Sequence, residues 1–160
     1  MKRGEKGILI LIGVLVLAGM LRSLLITSQP HDKEIPFYST AGSAVAERAM
    51  SIYHQYGCRN CHTLWTLRDS LQSVPAPMLD GIGSLHSEDW IYKYLSSSNP
   101  QAVVPSRLKL EYRMPSYADM PETDRRTISQ YLASLKVKDW YLEQLKKSEY
   151  EKLTGMDAPK

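Results

Sequence analysis

The only two cysteines of this 160-residue chain lie three positions apart, and a histidine directly follows the second one. The segment reads Cys58-Arg59-Asn60-Cys61-His62, which is the C-x-x-C-H spacing of covalent haem attachment. At this spacing the two thiols can reach both vinyl groups along one porphyrin edge and form thioethers. The histidine can then coordinate the iron, so one loop tethers the ring and supplies an axial ligand. We therefore expect one covalently bound haem c, held by Cys58 and Cys61 and ligated by His62.

Three other uses of the two thiols stay open at this point. A structural zinc site usually needs four nitrogen or sulfur ligands, and the chain has no second cysteine pair, while His54 and His86 sit at no familiar spacing. A thioredoxin-like dithiol should follow a strand in a βαβ pattern, whereas the stretch before Cys58 reads as helix. A plain structural disulfide is the third alternative.

An apolar run near the N-terminus predicts a membrane anchor. Gly7 to Ile26 reads GILILIGVLVLAGMLRSLLI, which matches the ~20 residues that cross a bilayer, and only Arg22 and Ser23 interrupt it. Basic residues precede the run, at Lys2, Arg3 and Lys6. The positive-inside tendency then places the N-terminus in the cytoplasm and the rest outside. We expect a single-pass protein of a bacterial inner membrane with its haem domain in the periplasm.

A cleaved signal peptide is the competing interpretation of the same run. Leu17-Ala18-Gly19 has the small residues of a cleavage site, and with Met20 it resembles a lipoprotein box that has methionine in place of the acylated cysteine. Apolar residues resume after this point, through Leu21, Leu24, Leu25 and Ile26, which favours an anchor that is retained. Both interpretations deliver the cysteines to the same side of the membrane.

Composition limits the chain to one compact domain with an appendage. Hydrophobic residues make up 43% of the chain, and the net charge of +3 is too small to indicate a nucleic-acid partner. We expect four segments: a cytoplasmic start and anchor over 1–27, a polar linker over 28–43, a haem domain over 44–137 and a C-terminal helical extension and tail over 138–160.

Three helices are predicted in the haem domain, and the fold class is all-α. The first covers Ala44 to Tyr56 and stops at Gly57. The second begins at Ser87, a favourable N-cap, and ends near Ser97. The third covers Glu122 to Leu135 behind Pro121, with its apolar residues on one stripe. The stretches between them are rich in proline and glycine and read as irregular.

Residues Ala44 to Lys136 together resemble class I cytochrome c. The resemblance consists of a helix ending at Gly57, the C-x-x-C-H motif, the segment Ala76-Pro77-Met78-Leu79, the pair Met114-Pro115 and a closing helix. It implies a class I cytochrome c domain in which Met114 is the second axial ligand of the iron. It also implies that the carbonyl of Pro77 accepts the Nδ1 proton of His62 and so fixes the imidazole.

Other ligand sets remain open. Met78 and Met120 compete with Met114, because methionines often only fill gaps in a core. Ligation by two histidines through His86 is a further alternative.

Cations and aromatic residues of the later loops are further candidates for contacts with the ring. Three cations could pair with the haem propionates or be solvated surface: Arg107, Lys109 and Arg113. Of these, Arg113 is adjacent to the candidate ligand, and we include it in the predicted cofactor site. Trp90 is expected in the core, whereas Trp65 and Tyr112 could line the ring edge or belong to the core.

Histidine and methionine ligation would leave the iron no open position for a substrate, so we expect one-electron relay and no catalysis by this chain alone. One anchor with one class I haem domain is similar to the cytochrome subunits of bacterial nitric oxide reductase and cbb3-type oxidase. The resemblance implies a subunit of a respiratory oxidase or reductase complex, with membrane-embedded subunits, redox donor and acceptor proteins and the lipid bilayer as partners. A stand-alone tethered carrier and a haem sensor or peroxidase-like protein are the alternatives.

The C-terminal extension is longer than a minimal cytochrome needs. Lys138 to Leu153 reads KDWYLEQLKKSEYEKL and spaces apolar residues among mixed charges. Such a segment either packs back on its own domain or docks a partner.

Overall fold

Helices account for most of the regular structure in the residues that the computed structural model describes, which are 3–27, 34–65, 74 and 76–158. Within these ranges there are six α-helices and only two short strands, which confirms the predicted all-α class. The chain divides into two units, Met1–Ile35 and Pro36–Lys160. Met1 and Lys2, residues 28–33 of the predicted linker, residues 66–73 and 75, and the last two residues of the tail lie outside the described ranges.

The first unit contains one long helix, α1, over Arg3–Thr27. Its 25 residues give a length of about 38 Å at ~1.5 Å per residue, and the whole apolar run lies inside it. Large apolar side chains are exposed along it: Ile8, Leu11, Ile12, Val14, Leu15, Val16, Leu17, Met20 and Leu21. Counting the described residues alone, neither α1 nor any other helix combines the length and hydropathy of a membrane span.

The second unit holds the remaining helices: α2 over Ser43–Gln55, α3 over Glu88–Leu95, α4 over Pro100–Val103, α5 over Glu122–Ser134 and α6 over Asp139–Thr154. The predictions for α2, α3 and α5 are confirmed to within about two residues. The predicted helix-end residues have the expected roles. Gly57 follows α2 with φ of 69°, and the Ser87 hydroxyl accepts a hydrogen bond from the Trp90 N–H at the start of α3.

A two-stranded antiparallel sheet joins the two ends of this unit. Strand β1, Phe37–Ser39, pairs with β2, Leu135–Val137, and Phe37 lies opposite Val137. The sequence assigned residues 28–43 to a linker, but residues from Pro36 onward belong to the folded unit, so the domain begins earlier than predicted. Strands of three residues are too short to give a period, and their pairing connects positions about a hundred residues apart.

The core lies where α2, α3 and α5 pack together. Its buried apolar residues come from all three helices and from the residues that flank them: Ala49, Ile52, Tyr53, Leu64, Ile91, Leu95, Met120, Ile128, Tyr131, Leu132 and Leu135. Arg48 on α2 also contacts the buried carboxylate of Asp124 on α5 at 2.7 Å. Because α2 leads into the cysteine motif and α5 follows the Met114 segment, this packing holds both segments in one unit.

Helix α6 packs back on its own unit, which is one of the two arrangements that the sequence allowed. Leu145 is buried, and the ring of Tyr141 contacts Phe37 edge-on, with 5.3 Å between centroids. Near the other end, Glu149 Oε1 lies 2.8 Å from His86 Nε2.

Candidate cofactor site

The cysteine motif forms a tight turn at the end of α2. Gly57 adopts a left-handed conformation, and the following residues Cys58–Asn60 form a 3₁₀ turn. The Cys58 carbonyl accepts hydrogen bonds from the N–H groups of Cys61, at 3.2 Å, and His62, at 3.0 Å. The turn thus brings both thiols and the imidazole together, and all three side chains are partly buried.

The orientation of His62 is fixed through its Nδ1 atom. This nitrogen lies 2.8 Å from the Pro77 carbonyl oxygen, which can only accept, so Nδ1 carries the proton and Nε2 is unprotonated in the neutral ring. Desolvation lowers the pKa of His62, and the hydrogen bond to Pro77 offsets part of that effect. The Tyr53 hydroxyl donates to the His62 carbonyl at 2.6 Å and holds the backbone. A neutral imidazole with a free Nε2 is the form that binds a metal.

A cavity of about 530 Å³ adjoins this turn. Five of the six residues that the sequence placed at the cofactor site line it: Cys58, Cys61, His62, Pro77 and Met114. Much of the remaining wall is apolar: Ile52, Leu79, Ile82, Ile91, Leu95, Val104, Leu108, Ile128 and Leu132. Its volume is within the range of ~300–1,000 Å³ usual for cofactor sites. The largely apolar wall thus includes two cysteines, a histidine and a methionine, whose side chains are suited to tether and ligate a haem.

The three candidate methionine ligands differ in their positions relative to the cavity. Met78 is not part of the cavity lining, whereas Met114 and Met120 both are. Met120 is buried in the core, with 6% exposure, and its carbonyl accepts from Arg125. Met114 is only partly buried, and its carbonyl accepts from Gln101 Nε2 at 3.1 Å. Its role as an iron ligand stays a prediction.

His86 also lines the cavity, but its ring is engaged elsewhere. Nε2 contacts Glu149, and the ring stacks on Trp90 at 3.8 Å between centroids. Trp90 in turn stacks on Tyr94. Trp90 packs against the core, where the sequence placed it, and it also forms part of the cavity wall together with these two rings.

Arg113 is the one residue of the predicted cofactor site that does not line the cavity, so its role there stays a prediction. Its side chain is exposed and outside the cavity lining, and its Nε donates to the Leu108 carbonyl at 2.7 Å. The 3₁₀ turn Leu110–Tyr112 separates the two residues, and the Arg113 N–H donates to the Leu110 carbonyl at its end. Of the three cations considered, Arg107 is the one that lines the cavity, and Lys109 does not.

Of the two remaining aromatic candidates, only one lines the cavity. Tyr112 lines the cavity, whereas Trp65 is not in the lining and its Nε1 donates to the Tyr131 hydroxyl at 2.9 Å.

Two contributors to the site carry no signal in the sequence. Gln101 lies in the short helix α4 and fastens the Met114 segment, and the last turns of α6 provide part of the wall through Ser148, Glu149, Glu151, Lys152 and Leu153. Each contact depends on tertiary packing, so no local pattern could have predicted it.

The competing uses of the thiols find little support in this geometry. Burial raises the pKa of the Cys58 thiol, whereas a redox-active dithiol needs a lowered one. Among the described side chains, no three of His, Cys, Asp or Glu are grouped to hold a metal ion without further ligands. Both sulfur atoms are free thiols and form no disulfide.

Comparisons with protein-family models, with curated proteins and with solved structures gave no match. The functional assignment therefore depends on the residues and the geometry of the cavity.

Proposed function

We propose that this chain is a membrane-anchored, monohaem c-type cytochrome of the class I type that relays single electrons at the periplasmic face. The observation that carries the proposal is the cavity beside the cysteine motif. Both cysteines, His62 with its unprotonated Nε2, and Met114 all line this one largely apolar cavity.

The residues present fit a covalently bound haem. Cys58 and Cys61 provide the two tethering sulfur atoms, and the turn between them places His62 beside the same chamber. When bound, the haem supplies a one-electron iron couple. Pro77 fixes the imidazole plane, and Gln101 fastens the segment that carries Met114. Burial of the ring against the apolar part of the wall limits its contact with water, which favours electron relay over reaction with solvent species.

The proposed anchor is supported by the sequence together with the form of α1. The run from Gly7 to Ile26 lies in one uninterrupted helix whose described apolar side chains are exposed, as lipid contact would require. Basic residues Arg3 and Lys6 precede the run and favour a cytoplasmic N-terminus. The haem domain then lies in the periplasm of a bacterial inner membrane.

We propose that the immediate partner is a membrane-embedded respiratory oxidase or reductase of which this chain is a subunit. An anchored domain cannot diffuse freely between distant partners, so a fixed neighbour is the simpler arrangement. Extraction in a mild detergent should co-purify further haem or copper subunits. Recovery of a single monodisperse chain would favour the stand-alone tethered carrier instead.

The axial ligands provide the spectroscopic test. In the oxidised protein, the weak red-region band of methionine-to-iron coordination should disappear in Met114→Ala and persist in Met78→Ala and Met120→Ala. The reduced wild-type protein should not bind carbon monoxide, because both axial positions are taken. Rapid carbon monoxide binding by wild type would contradict the relay and support the sensor or peroxidase-like alternative.

A further inference from the structure

Two cations lie at the rim of the cavity without a carboxylate partner. Among the lining residues, Arg107 and Lys152 are basic and exposed, which places them at the edge of the cavity, and neither forms an ion pair within the described part of the chain. The two acidic residues of the same rim are already engaged. Glu149 contacts His86 at 2.8 Å, and Glu151 lies 3.8 Å from the Lys147 ammonium. The rim therefore has two positive charges available for an anionic ligand.

Both cations lie at the C-terminal end of α6. Lys152 is in the last turn of the helix, which is capped by Gly155 with φ of 66°. The Arg107 guanidinium lies directly beside that glycine, because an ideal Cβ on Gly155 would be 1.8 Å from Arg107 Nη2. The negative end of the helix dipole favours cations at this place. Packing thus brings together two positive groups that are 45 positions apart in the sequence.

Resting on the haem function proposed above, we propose that the C-terminal extension is part of the cofactor site and that Arg107 and Lys152 bind the two haem propionates. The vinyl groups and the propionates lie on opposite edges of the porphyrin. Tethering the vinyl edge at Cys58 and Cys61 leaves the propionate edge for another part of the rim. The propionate carboxylates are stabilised there by hydrogen bonds from positively charged groups. The planar guanidinium of an arginine can donate two parallel hydrogen bonds to one carboxylate.

This arrangement gives α6 a role in the electron relay. A positive charge near the ring favours the reduced iron, which has one positive charge fewer, and so raises the midpoint potential. A cation beside a propionate also stabilises its ionised form and lowers its pKa. Removal of either cation should therefore lower the potential and move the propionate pKa upward, toward neutral pH.

The experiment uses the full haem-loaded chain and compares cations on two faces of α6. Lys152→Gln and Arg107→Gln each remove one rim charge. Arg107→Lys keeps the charge but loses the planar guanidinium that can donate two hydrogen bonds to one carboxylate. Lys146→Gln is the matched control, since Lys146 pairs with Glu143 at 2.7 Å, is exposed and does not line the cavity. The midpoint potential of each variant is measured by spectroelectrochemistry as a function of pH, at low and at high salt.

We expect a more negative midpoint potential in Lys152→Gln and Arg107→Gln than in Lys146→Gln, with a larger difference at low salt because salt screens exposed charges. Arg107→Lys should recover part of the shift. The pH at which the potential begins to vary should move upward in both glutamine variants.

Equal potentials in Lys152→Gln and Lys146→Gln would overturn the proposal. So would a lower melting temperature in Arg107→Gln without a change in potential, since Arg107 would then only cap α6. These results differ from failure of the proposed function, in which the wild-type chain itself would carry no covalent haem.

Discussion

Replacing Gly81 by alanine should be much more destabilising than the same change at Gly57, although both residues have a left-handed backbone. Gly81 has φ of 82°, and an added Cβ would lie 2.3 Å from Val137 Cγ1 and 3.1 Å from Leu145 Cδ2. Gly57 has φ of 69°, but its Cβ would meet only the end of the Asn60 side chain, at 3.1 Å. The two positions therefore share the backbone cost and differ in packing.

The expected magnitudes follow from these distances. A left-handed conformation costs a non-glycine residue roughly 1–2 kcal/mol, which applies to both variants. Overpacking of a filled core adds about 1–3 kcal/mol, and this cost applies only to Gly81→Ala because Val137 and Leu145 are buried there. We expect a loss of about 1–2 kcal/mol for Gly57→Ala and about 2–5 kcal/mol for Gly81→Ala.

Urea unfolding followed by tryptophan fluorescence measures the difference. All three tryptophans, Trp65, Trp90 and Trp140, belong to the unit Pro36–Lys160, so the signal does not report on α1. Val137→Ala removes the atom nearest to the added methyl group. In a double-mutant cycle, Gly81→Ala with Val137→Ala should therefore be less destabilised than the sum of the single variants, by about 0.5–3 kcal/mol. Strict additivity, or equal losses at Gly57 and Gly81, would refute this account of the packing around α6.

Three further predictions concern single polar contacts. Burial raises the pKa of Tyr53 to about 12 from its usual value of 10.0, so the folded state disfavours the ionised form and loses stability as the pH rises from about 10 to about 12. Tyr53→Phe should remove that alkaline loss and cost about 1 kcal/mol at neutral pH, as urea midpoints measured across the pH range will show. Arg48→Ala leaves the buried Asp124 carboxylate without its partner, and we expect about 1–3 kcal/mol of lost unfolding free energy, since solvent around the half-exposed arginine reduces the effect. Glu149→Gln should lower the melting temperature and disturb the ring of His86, because it weakens the contact between α6 and His86. Glu143→Gln, on the exposed side of the same helix, should change neither. Equal effects of the two variants would argue against a fixed position of α6 on the cavity.

The parts of the fold that were predictable carry local signals. Ser87 caps α3 with its own hydroxyl, and Gly57 supplies the left-handed turn that ends α2, so both boundaries could be read from neighbouring residues. The cysteine motif is equally local, because its chemistry depends on five consecutive residues. The hydrogen bond between His62 and Pro77 was accessible only through the family resemblance.

The unpredicted parts depend on contacts between distant positions. The pairing of Phe37 with Val137 makes part of the apparent linker a strand, and neither three-residue segment contains a pattern that predicts this pairing. Arg113 is adjacent to Met114 in sequence, yet a single 3₁₀ turn directs its side chain elsewhere and leaves Arg107 at the cavity. An amphipathic pattern shows that α6 has an apolar face, but not which surface that face will cover.

Covalent haem attachment tests the central claim most directly. The full chain is produced in a bacterium that has the c-type haem maturation system, and the intact mass and haem absorbance of the purified protein are measured under denaturing conditions. The wild-type mass should exceed the mass of the polypeptide by one haem, and Cys58→Ser with Cys61→Ser should carry none that survives denaturation. A wild-type chain that matures beside a haem-loaded control cytochrome and still has the mass of the bare polypeptide would contradict the account.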